Sequence, residues 1–241
     1  MSVNELPVVV IGAGPAGLAA AAQLVRRGLP TVVLESGPSA GTSVREWRHV
    51  RLFSRWAELV DPAAEKLLAP TGWRFPYADD YPTGAEWARR YLQPLADVLG
   101  ERVRYGARVV GVSRQGWDRV VDQARDAEPL SVRVAFTDGE ERISARAVID
   151  ASGTWSSPNP LGGDGFPALG EAAAADHIAY RVPDLTDPAV RARYAGRRIA
   201  VAGSGHSALT ALVAFADLAE EHPGTHVDWL LRRGAVGDTF G

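Results

Sequence analysis

The sequence predicts an α/β fold in which parallel strands alternate with helices, and three observations carry that prediction. A short apolar run, PVVVI at 7–11, leads through a glycine-rich turn into an amphipathic helix. The same order returns late in the chain as RRIAVA, GSGHSA and a second helix from 206. Each unit then closes on another apolar run, TVVLE at 31–35 and THVDWLL at 225–231. Continuous apolar runs suit strands of a parallel sheet covered on both faces.

In order along the chain, the first helix is expected from about Pro15 to Arg27. Leu18, Ala21, Ala22 and Val25 fall at the spacing that lines one helical face, and Gly28 stands where a helix end favours positive φ. Residues 36–60 are read as irregular, and 62–70 as a short helix. Gly84–Leu99 has helical spacing, with Trp87, Tyr91, Leu92 and Leu95 on one side. Strands are expected at 103–112 and 130–136, with a turn at Asp138-Gly139, and again at 146–151. Residues 156–187 are dense in Pro, Gly and Ala, so a boundary is placed near Pro158–Pro160. The second unit has its strand at 197–202 and a helix over 206–220, with Leu209, Leu212, Val213 and Ala216 as its stripe. Pro223-Gly224 ends that helix.

The chain has 241 residues, 46% of them hydrophobic, a formal charge of −3 and no cysteine. A slightly acidic balance argues against a nucleic-acid or membrane-surface binder. The missing cysteines exclude disulfides, thiolate metal sites and thiol chemistry on these residues. With no basic leader and no apolar run of membrane length, a cytoplasmic protein is expected. No spacing suggests a metal site or a Ser/His/Asp arrangement.

Gly12, Gly14 and Gly17 spell G-x-G-x-x-G between a buried strand and a helix. The first permits a tight turn, the second lets a pyrophosphate approach the backbone, and the third lets helix and sheet pack closely. Glu35 closes the next strand about 20 residues on, where an acid hydrogen-bonds a ribose diol. An unphosphorylated ribose fits, hence FAD or NAD. Gly203, Gly205 and Ala208 repeat the fingerprint in its G-x-G-x-x-A form. Here Arg232 and Arg233 are read at the place of Glu35, and a guanidinium pairs well with a 2′-phosphate. A solvated basic strand end is the other reading. One bare and one phosphorylated ribose point to FAD with NADPH, and to electron transfer between them.

These motifs, with DASGT and WSSPNP at 150–160, resemble the two-dinucleotide-binding-domain flavoproteins, and among them the flavin-containing monooxygenases. The resemblance covers nearly the whole chain. The family's Phe-x-Gly-x-x-x-His-x-x-x-Tyr/Phe/Trp pattern meets Phe166, Gly170, His177 and Tyr180 here, but at other spacings. It implies an α/β chain with a Rossmann-like FAD-binding domain of parallel sheet and β-meander, at 1–160, lacking its C-terminal return segment. A partial second Rossmann-like NADPH-binding domain follows at 161–241. FAD contacts are expected from Gly12, Gly14, Pro15, Ala16, Gly17, Glu35 and Ser36, and further on from Arg45, Trp47, Val109, Ala151 and Gly153. NADPH contacts are expected from Gly203, Gly205, His206, Ser207, Ala208, Arg232 and Arg233. His206 either touches the phosphates or faces solvent at the helix start.

The stretch REWRHVRLFSRW at 45–56 interleaves arginines with aromatics, as a single-stranded nucleic-acid platform would. The acidic balance favours a segment along the flavin instead, with Arg45 or Arg48 offsetting pyrophosphate charge and Trp47 near the ring system. A surface loop with buried tryptophans is the plain alternative. The implied reaction passes hydride from NADPH to flavin, which then uses dioxygen to oxygenate a small molecule; it requires no side-chain base, and no catalytic residue is named. Two other classes stand beside it: a flavin reductase or oxidase serving a quinone or partner protein, and a non-catalytic nucleotide-binding fragment. Since the second unit stops early, weak FAD binding is expected unless a homo-oligomer or a complementing C-terminal segment supplies the remainder.

Overall fold

Four parallel strands form the central sheet, in the order β3-β2-β1-β7. They are β1 (Val8–Ile11), β2 (Thr31–Leu34), β3 (Val103–Arg104) and β7 (Ala147–Asp150). The computed structural model describes residues 3–118, 120–121, 123 and 127–231. The chain divides into two compact units, Met1–Thr154 and Trp155–Gly241.

Side-chain alternation sorts the first sheet's two faces. Val10 and Val33 join a core with helices α1 (Pro15–Arg26), α4 (Pro62–Leu68) and α6 (Gln93–Leu99). Their neighbours Val9 and Leu34 join Val132, Val134 and Ala145 on the opposite face. Those last three belong to an antiparallel meander of β4 (Arg108–Arg114), β5 (Leu130–Phe136) and β6 (Gly139–Ala145). Burial on both faces is what the near-continuous valines of β1 and β2 require.

Three expectations need correction. Residues 36–60 are not wholly irregular: they hold α2 (Thr42–Glu46) and α3 (Trp56–Leu59), each about one turn long and invisible to periodicity. The expected strand over 103–112 is broken, because Gly106 at φ +64 turns the chain from the parallel sheet into the meander. The partner strand β6 follows the Asp138-Gly139 turn, pairing Phe136 with Gly139. Finally, the helix over 84–99 is one run of three pieces: α5 (Gly84–Trp87), a π-helical segment Ala88–Leu92, and α6. Pro94 has no N–H for the Arg90 carbonyl, and the Trp73 indole donates to that oxygen instead at 2.7 Å.

In the second unit, α7 (Pro188–Tyr194) precedes β8 (Arg198–Ala202), α8 (His206–Glu221) and β9 (His226–Leu230). The strands β8 and β9 pair in parallel. Ile199 and Val201 pack on Ala211, Phe215 and Leu218. The expected α8 stripe is therefore rotated, and Val213 is 65% exposed. A helix apolar nearly all round gives periodicity no face to choose.

Candidate functional site

Strand β1 runs into Gly12, whose φ of +97 turns the chain toward α1. A Cβ on Gly12 would stand 2.7 Å from the Ala151 carbonyl, and one on Gly17 only 1.9 Å from the Gly12 carbonyl. Two of the three glycines thus have no room for a side chain. Gly14 is different: nothing lies within 4 Å of its absent Cβ, and as N-cap of α1 it makes no side-chain cap. Pro15 opens that helix without an N–H, so Ala16 and Gly17 carry its first amides.

Glu35 faces this turn. It is 8% exposed, and one carboxylate oxygen accepts from the Ala13 amide at 2.8 Å. The other accepts from Gly37 at 2.7 Å. The Ala13 carbonyl in turn receives the Gly41 amide at 2.9 Å, so the turn is gripped from both ends. Arg45 joins the same corner, donating to the Ala40 carbonyl at 3.1 Å and to Gln93 at 3.2 Å. Ala151 reaches the turn through its backbone, its amide bonding the Ile11 carbonyl at 2.9 Å.

The other residues expected to contact FAD have varied settings. The Trp47 ring lies against Gly84 and 6.4 Å from Trp87, seating α5. Trp56, at 2% exposure, is core. Ser36 and Gly153 are exposed, and half-buried Val109 sits beside a register shift of β4. Asp150 is spent locally: the Ser152 hydroxyl and then its amide hold that carboxyl below the usual range.

The second turn repeats the design with changes. Gly203 has φ +112, Gly205 caps α8 with no side-chain bond, and nothing lies within 4 Å of either missing Cβ. Ala208 takes the place of Gly17, so α8 tolerates a methyl where α1 cannot. His206, at the place of Pro15, keeps its N–H; it and Ser207 are exposed. Strand register corrects one alignment. Gly203 donates to the Leu230 carbonyl at 3.0 Å as Gly12 does to Leu34 at 2.7 Å, so Leu231, not Arg232, occupies the place of Glu35. Arg232 and Arg233 come next along and lie outside the described residues. Trp229 Nε1 donates to the Gly203 carbonyl at 2.7 Å, a contact no sequence signal marks.

Among the described residues no helix is long and apolar enough to cross a membrane, and no group of side chains could hold a metal ion.

The family model described as pyridine nucleotide-disulphide oxidoreductase matches residues 9–238. An indole-3-pyruvate monooxygenase of rice is 31% identical over 83% of this chain and 43% of its own length. A ferredoxin–NADP reductase of Gluconacetobacter diazotrophicus is 36% identical over 62% of this chain and 42% of its own. A solved flavin monooxygenase mutant from Stenotrophomonas maltophilia superposes with a TM-score of 0.62 at 28% identity, covering 95% of this chain and 58% of that one. The chain thus spans about half the length of these proteins. Two glycine turns at the ends of parallel strands, and a family match across nearly all of the sequence, lead to one conclusion: this chain belongs to the pyridine nucleotide-disulphide oxidoreductase family.

Proposed function

We propose that this protein is an FAD-dependent NADPH oxidoreductase, a flavin monooxygenase that uses dioxygen to oxygenate a small molecule. The observation that carries the reading is the first turn, where an uncapped helix N-terminus opens onto free space beside a buried, clamped carboxylate. That cradle fits an FAD pyrophosphate: amides and the helix dipole favour its charge, and Gly14 leaves it room. Glu35 would hold the adenosine ribose through lone pairs that Ala13 and Gly37 leave available. At the second turn, Gly205 and the start of α8 would receive the NADPH pyrophosphate. Arg232 and Arg233 are proposed for the 2′-phosphate from their sequence position.

Bound FAD would take hydride from NADPH and deliver electrons to dioxygen; the chain's own part is to bind, orient and exclude water. Family membership is consistent with this despite its name, since no cysteine is present in these residues for a disulfide step. Likeness to an indole-3-pyruvate monooxygenase and a flavin monooxygenase supports oxygenation. Likeness to a ferredoxin–NADP reductase favours a second reading, electron delivery to a partner protein. A cytoplasmic setting, and completion by a second copy or by further chain, belong to the same proposal.

Cofactor preference tests it. The chain should take up FAD, weakly when alone and fully once a second copy or further chain completes the site, and should oxidise NADPH at least about tenfold better than NADH, the worth of one charged hydrogen-bonded contact. Failure to take up FAD, or equal use of both nucleotides, would contradict it. Oxygen consumed without peroxide release in the presence of substrate separates the oxygenase from the reductase.

A further inference from the structure

We propose that Trp229 is a positioning residue for the second nucleotide turn, orienting one peptide so that its amide faces the pyrophosphate of NADP(H). The inference rests on the reading of that turn as the NADPH site.

The starting point is how each turn fixes its first peptide plane. In the first turn, Glu35 grips the Gly12–Ala13 peptide by its N–H, at 2.8 Å. In the second, the matching register position is Leu231, whose side chain can accept nothing. The equivalent Gly203–Ser204 peptide is held from its other end, by the Trp229 indole donating to the Gly203 carbonyl at 2.7 Å. A trans peptide is planar, so its C=O and N–H point in opposite directions. Pinning the Gly203 oxygen therefore fixes the Ser204 N–H as well. Among the described residues that N–H has no protein partner. The first clamp consumes a donor; the second leaves one free for an anion.

The fold explains why a tryptophan can do this. Trp229 lies two residues after Val227, and side chains two apart share a strand face. Val227 packs on the core that β8 and α8 build, so Trp229 continues that face to the strand's end, under the start of α8. Trp229 pairs with Val201, and Leu230 with Ala202, placing the indole two residues short of Gly203 on the neighbouring strand. The ring is half-buried. Gly203 at φ +112 has no side chain of its own to restrain it, which makes an external tether effective.

The experiment compares unaltered chain with Trp229→Phe, binding two probes by calorimetry: NADP⁺, and adenosine 2′-monophosphate, which lacks the pyrophosphate. Trp229→Leu, equally unable to donate, serves where the phenylalanine variant is unstable. FAD uptake at the first turn reports on folding. The variant should bind NADP⁺ about three- to tenfold more weakly, the worth of one hydrogen bond, with binding of adenosine 2′-monophosphate and FAD unchanged. Equal NADP⁺ affinity in variant and parent would overturn the inference, as would equal weakening of both probes, which marks a merely structural tryptophan. Unaltered chain that takes up FAD yet binds neither probe would sink the assignment of the turn itself, and this inference with it.

Discussion

At Glu35 a buried carboxylate is tolerated because both oxygens are met by backbone donors, Ala13 and Gly37. Glu35→Gln keeps the shape but sets an NH2 group against one of those donors. Leaving such a group unsatisfied costs about 1–3 kcal/mol, so FAD affinity should fall by about fivefold or more in a flavin titration; unchanged affinity would refute the clamp. Gly17 and Ala208 offer a paired test. A methyl on Gly17 would meet the Gly12 carbonyl at 1.9 Å, so Gly17→Ala should abolish FAD uptake. Ala208→Gly should cost only about 1 kcal/mol, the helix propensity of glycine, read from the urea midpoint. At this scale the glycine spacing and Glu35 were legible, because steric need and charge select residue types. Trp229 was not: an indole's choice of carbonyl follows from strand register. The same register moved Leu231 into the place that sequence counting gives to Arg232.

Among the elements, the run from Gly84 to Leu99 shows where periodicity suffices and where it fails. Trp87, Tyr91, Leu92 and Leu95 are buried as their spacing predicts. The π-helical segment is not visible in that spacing; it accompanies Pro94, with the Gln93 amide reaching back to the Ala88 carbonyl. Trp73→Phe would remove the donor that serves the Arg90 oxygen. A loss of about 1 kcal/mol in unfolding free energy is expected, since water can partly replace it; no loss would show the contact to be incidental. Burial also pushes the Tyr91 phenol up to about 12, while its oxygen accepts the Asp61 amide at 3.0 Å.

No periodicity marks order in 161–180, yet Glu171 is 6% exposed and gathers that segment. It accepts from Tyr180, and from the Leu161 and Ala168 amides at 3.0 and 2.6 Å. The Tyr180 hydroxyl first, then the Leu161 amide, hold the Glu171 carboxyl below the usual range. A depressed pKa stabilises the folded form above the ordinary carboxylate value, and that contribution is lost as pH falls through the folded one. Limited proteolysis should therefore open 161–180 in acid and not at neutral pH. Glu171→Gln should be cleaved at both, and a parent whose cleavage does not vary with pH would refute this role for Glu171.

For the molecule as a whole, both βαβ units were readable because strand, turn and helix repeat in one order. Less readable were the faces of α8, apolar nearly all round, and the corner at Gly106 that diverts the chain into the meander. Two turns of the same pattern are clamped in opposite senses, one by a carboxylate on an amide and the other by an indole on a carbonyl. Their proposed common purpose is to hold two nucleotides between which electrons pass. The most direct measurement is the visible flavin band of the FAD-loaded protein as NADPH is added without oxygen. If electrons pass between the two nucleotides, the band bleaches as NADPH is consumed mole for mole. A band that persists with both nucleotides bound would contradict that transfer.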